Sequence, residues 1–126
     1  LTAPTTSSNR TVTLPDADVT LGGGFPAQAW VNFNGVGTVA IRANANVSSI
    51  TDNGLGDYTI SFSSALSDAD YATTGTGGNP DSAAYRQYRV TAPYISAPTT
   101  SAIRIAGSNN GAGSNDLPYA NVNVVR

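Results

Sequence analysis

Histidine, cysteine and methionine are absent from this 126-residue chain, and so are lysine and glutamate. Glu, Lys, Met and Gln are the straight-chain residues that lose little rotamer freedom in a helix. Of these the chain keeps only Gln28 and Gln87. Without His or Cys there is no Ser-His-Asp triad, no thiol nucleophile, no zinc site and no disulfide framework. All 6 basic residues are Arg and all 8 acidic ones are Asp, for a net charge of −2. Nothing in that balance would neutralise a run of phosphates, so nucleic acid is not an expected partner. No apolar run approaches the ~20 residues of a membrane span, and no membrane insertion is expected. Leu1 is not expected to be the natural start, since no initiator Met is present.

What is present is Thr, Val, Ile, Tyr and Ser, punctuated by 13 Gly and 7 Pro. That mixture suits short strands and tight turns, and it predicts an all-β fold. The large apolar residues are few. Trp30, Phe25, Phe33, Phe62 and the Ile and Val residues are expected to carry the core, and so thin a protomer is easier to stabilise if identical neighbours share it.

The chain divides at Gly22-Gly23-Gly24, a flexible or tightly bent joint. Residues 1–24 hold two short alternating segments, Arg10–Leu14 and Val19–Leu21, around the turn Pro15–Asp18. Two such strands cannot bury their apolar faces against each other. They read either as a tail or as a stem in which three copies pack Val12, Leu14, Val19 and Leu21 about one axis; strict alternation favours the stem. Residues 25–126 read as a C-terminal β knob, a small antiparallel sandwich or barrel-like domain. Its expected strands are Trp30–Phe33, Thr38–Ala43, Val47–Thr51, Asp57–Phe62, Tyr71–Thr73, Tyr85–Ala92, Ala102–Ala106 and Asn121–Val125. In the clearest of them Tyr58, Ile60 and Phe62 face inward. Thr74–Ala84 and Gly107–Asp116 read as long polar loops.

Two strings then carry a resemblance. Ser8–Asp16 (SNRTVTLPD) resembles a segment common in the shafts of phage tail fibres. Ala29–Arg42 (AWVNFNGVGTVAIR), followed by Asn46–Tyr58 (NVSSITDNGLGDY), resembles the opening of a phage tail-fibre C-terminal domain, and Asp68-Ala69-Asp70-Tyr71 resembles the turn that follows it. The likeness covers Ser8–Leu14 and about Ala29–Tyr71, with a weaker echo in Val122–Arg126. It implies a homotrimeric fibre tip on the virion, extracellular when functioning, which meets other fibre or capsid proteins and a host surface polysaccharide or protein receptor. The alternative is a structural head fibre or capsid decoration protein with no receptor. The resemblance does not reach residues 74–121, where specificity is expected to differ.

No catalytic residue, cofactor or metal site is expected. Asp52 and Asp57 flank Asn53–Gly56 without the alternating oxygen ligands and terminal Glu of a calcium loop, so turn chemistry is the simpler reading. Asp68 and Asp70, at i and i+2 on a short turn, are a poor carboxylate pair for sugar cleavage. Tyr85, Arg86, Tyr88, Arg89 and Tyr94, with loop Asn residues, are the residue types favoured at binding hot spots, although Tyr rings also pack in cores and Arg also pairs with Asp. The receptor-binding candidates are Asn79, Asp81, Tyr85, Arg86, Asn109, Asn110 and Tyr119.

Overall fold

The computed structural model describes residues 27–80, 88–109 and 113–126. They form β1 (Ala27–Asn34), β2 (Ala40–Ala45), β3 (Val47–Gly54), β4 (Asp57–Phe62), β5 (Ala72–Gly78), β6 (Arg89–Thr91), β7 (Ala102–Ser108) and β8 (Tyr119–Val125), with no helix among the described residues. All belong to one 8-stranded sheet in the order β2-β1-β8-β5-β6-β7-β4-β3. Every pairing is antiparallel.

The sheet curls until it nearly closes into a barrel, and its two end strands, β2 and β3, are consecutive in sequence. Asn46 turns the corner between them at a φ of 54°. Asn tolerates this left-handed conformation better than most residues. Its amide donates to Gln28 O at 3.0 Å and Ser64 O at 3.1 Å, while its Oδ1 accepts from the Ser64 N–H at 2.8 Å.

Period-two alternation fills the interior. Ala29, Val31 and Phe33 of β1, Tyr58, Ile60 and Phe62 of β4, Ile103 and Ile105 of β7, and Ala120, Val122 and Val124 of β8 are buried, with Val47, Leu66 and Leu117 completing the core. Phe33 and Tyr58 meet edge to face at 5.2 Å, and so do Phe62 and Tyr71 at 6.0 Å. The chain thus encloses a core of its own among the described residues.

Two expectations are corrected. Trp30 does not carry the core: its neighbours Ala29 and Val31 take the inward positions, and parity leaves Trp30 outward and 37% exposed. Val36 and Ile95 are likewise exposed. The segment from Thr74 is not all loop, because β5 runs through to Gly78 between β8 and β6. Its inward glycines make room for neighbours. A Cβ on Gly75 would lie 2.6 Å from a Val90 methyl, and one on Gly77 would lie 2.9 Å from both Leu117 and Tyr88 side chains. The proposed stem strands and Phe25 fall outside the described residues.

The strand directions give the barrel two poles. The chain enters at Ala27, beside Val125 near the end of β8. The β2–β3 corner and the β4–β5 and β6–β7 connections lie at that proximal pole, while β1, β3, β5 and β7 end and β2, β4, β6 and β8 begin at the distal pole.

Candidate functional site at the distal pole

Tyr58 organises the distal pole from inside. Burial and the adjacent Asp116 carboxylate push its phenol well above the ordinary tyrosine value. Its hydroxyl lies 2.9 Å from Asp116 Oδ1 and 3.0 Å from Gly35 O, so one proton is shared between two acceptors on different loops. The same Asp116 oxygen accepts from the Gly56 N–H at 2.7 Å. Gly35 N–H donates to Leu117 O and Gly107 N–H to Gly56 O, at 2.8 and 2.7 Å. The β1–β2, β3–β4 and β7–β8 connections are thereby tied into one unit.

Two of these contacts require glycine. A Cβ on Gly35 would sit 2.3 Å from the Tyr58 hydroxyl, and one on Gly56 would sit 2.5 Å from Gly107 O. Asp52 Oδ1 accepts from the Gly54 N–H at 2.9 Å, which is turn chemistry as the sequence suggested. Asp57 belongs to the sheet instead. Both its oxygens meet Arg104, at 2.8 and 2.6 Å, and this pairing holds its carboxyl below the ordinary range.

Of the sequence candidates, Asn79, Asn109 and Tyr119 come together at this pole. Asn79 follows β5 and donates to the Tyr88 hydroxyl at 3.1 Å. Asn109 follows β7; its Oδ1 is buried and meets no hydrogen-bond partner among the described residues. Tyr119 opens β8, paired with Gly78, and is 41% exposed. Asp81, Tyr85, Arg86 and Asn110 lie outside the described residues. Asp68 and Asp70 sit at the proximal pole, where Asp68 caps its turn through the Asp70 N–H at 2.9 Å and pairs with Arg126. There Asp70, Ala72, Val125 and Arg126 line an open recess of about 420 Å³.

The sequence alone did not bring out a row of polar side chains on the outer surface just below the distal loops. The Arg42 guanidinium lies 3.9 Å from the centre of the Tyr119 ring, donates to Pro118 O at 2.7 Å, and reaches Asn32 Oδ1 at 3.5 Å. The Asn32 amide donates to Asn121 Oδ1, and Asn121 reaches Thr76 Oγ1 at 3.4 Å. Thr76 pairs with Arg89 on β6. Alternation marks Asn32 and Asn121 as outward, but the β1-β8-β5-β6 order that lines them up depends on long-range pairing.

Comparison with protein-family models, with curated proteins and with solved structures finds no match.

Proposed function

We propose that this chain is a virion fibre-tip protein that binds the host cell surface as a homotrimer, with residues 1–24 as the trimeric stem and the distal pole as the receptor-binding end. The observation that carries the reading is the polarity of the barrel. The chain enters at one pole, and β1, β3, β5 and β7 all end at the opposite pole, so the connections that follow them leave from the end that a stem would present outward. Loops on a rigid sheet can vary without disturbing the core, which suits them to recognition. Tying the β1–β2, β3–β4 and β7–β8 connections through Tyr58 and Asp116 lowers the entropic cost of binding. Three copies on one stem would add avidity to individually weak sites. The tail-fibre resemblance of Ala29–Tyr71 points the same way.

The test is to label the purified chain fluorescently and incubate it with a panel of bacterial strains that includes the host. Specific decoration of a restricted set is expected, and it should be lost when residues 81–87 and 110–113 are replaced by short Gly-Ser links in a chain that still folds. Absence of decoration on every strain, host included, would overturn the reading and leave a structural knob on a head fibre or capsid.

A further inference from the structure

We infer that the outer row Arg42–Asn32–Asn121–Thr76–Arg89 is a track for an anionic polysaccharide, with an arginine at each end for the acid groups of the sugar chain. This deepens the receptor-binding reading and rests on it. The row crosses five neighbouring strands, β2, β1, β8, β5 and β6. Its register is set by the pairing of Asn32 with Asn121, Asn121 with Thr76, and Thr76 with Arg89. Four interstrand steps of about 4.8 Å give roughly 19 Å along the curved surface, long enough for several sugar rings.

Charge selects the ligand. Arg104 is paired with Asp57, and Arg126 with Asp68. Arg42 and Arg89 have no carboxylate partner among the described residues. The carboxylates of Asp52, Asp57, Asp68 and Asp116 serve a turn, ion pairs or the distal loops, and Asp70 lies in the β4–β5 connection at the proximal pole. The row therefore presents two cations and no described anion, on a chain whose net charge is −2.

The geometry suits a sugar acid. Arg42 is held in place by Tyr119 and Pro118 O and still has N–H groups left for an incoming oxyanion; a guanidinium matches such groups with its planar fork. The Asn and Thr side chains between the arginines offer both donors and acceptors for hydroxyls. Trp30 is outward on the same strand face as Asn32, two residues along, so its exposed ring can stack against a sugar.

The experiment measures binding of the intact chain to an oligouronate of about six sugars, to its methyl ester, which keeps the shape without the charge, and to a phosphorylated oligosaccharide of similar length. Wild type, Arg42→Gln/Arg89→Gln and Arg126→Gln are compared, with folding of each variant checked by its melting curve. We expect binding to at least one acidic probe, at least tenfold weaker binding to the ester, a tenfold or greater loss in the double variant, and little change in Arg126→Gln. The preferred acidic probe tells carboxylate from phosphate. Equal binding of oligouronate and ester, binding to none of the probes, or an unaffected double variant would overturn the inference. Host-cell adsorption separates the two proposals: adsorption undiminished in the folded double variant removes the track but keeps the receptor reading, whereas no adsorption by wild type removes the receptor reading itself.

Discussion

The hydroxyl of Tyr58 on β4 and the carboxylate of Asp116 before β8 lie 2.9 Å apart, although they are separated by most of the domain in sequence. With Gly35 O as the second acceptor, this contact joins the barrel core to the distal loops. Tyr58→Phe keeps the ring and its contact with Phe33 but removes the shared proton. The expected cost is about 1–3 kcal/mol, the range for losing a buried hydrogen bond to a charged group. Faster hydrogen exchange is expected at Gly35 and Gly56, with β1 and β4 unchanged. A loss of exchange protection spread evenly over all strands would show that Tyr58 holds the barrel rather than its loops.

Phe62 and Trp30 test which face is inside. Phe62→Ala leaves a cavity in the core and should cost about 3–5 kcal/mol. Trp30→Ala removes an outward ring without opening a cavity, and about 1–2 kcal/mol is expected from lost contact area. Denaturant melts of the two variants compare them directly, and a larger loss for Trp30→Ala would reverse the assignment.

Gly75 tests whether β5 is a strand. An added methyl would meet the Val90 side chain at 2.6 Å and Asn121 O at 3.2 Å. Gly75→Ala should destabilise by about 1–3 kcal/mol through overpacking. Were Thr74–Gly78 a bare connector, the same change would be neutral in the melt.

These three sites show what the sequence made legible. The alternation of Tyr58, Ile60 and Phe62 was plain, and β4 lies where it was expected. Trp30 was assigned to the core by size, whereas parity with Val31 and Phe33 puts it outside. In β5 the outward positions are Ala72, Thr74 and Thr76 and the inward ones are Thr73, Gly75 and Gly77, so no large apolar alternation marks the strand. Its glycines read as loop because the Val90, Leu117 and Tyr88 side chains that fill their space come from elsewhere in the chain. Asn79, Asn109 and Tyr119 were chosen as loop residues and do share a pole. The Arg42 to Arg89 row was hidden, because it exists only once β8 lies between β1 and β5.

The Asp57–Arg104 pair predicts a pH dependence. Asp57 is held below its ordinary value of 3.8, chiefly by its hydrogen bonds to Arg104. A carboxyl with a depressed folded-state pKa binds its proton more readily when unfolded. Its contribution is therefore present above the ordinary carboxylate range and lost as pH falls through the folded value. Asp57→Asn should lower stability at pH 7 and reduce the fall in melting temperature between pH 5 and pH 2. Parallel curves for variant and wild type over that window would remove Asp57 as a source of acid sensitivity.

The last prediction separates the barrel from its assembly. Phe33, Tyr58, Ile103, Ile105 and Leu117 are all 2% exposed or less within one chain, so the knob does not need neighbours to close its core. A homotrimer would then depend on residues 1–24, where Val12, Leu14, Val19 and Leu21 alternate with polar residues and have no partner within so short a segment. Sedimentation of the intact chain at micromolar concentration is expected to give a trimer. Removing residues 1–24 should give a folded monomer whose melting curve stays cooperative, because the apolar area that drives association leaves with the stem. A truncated chain that remains trimeric would put the contact on the barrel surface, with the exposed ring of Trp30 the first place to look. An intact chain that sediments as a monomer would end the trimer proposal and the avidity argument with it, while leaving the fold and the distal pole as they stand.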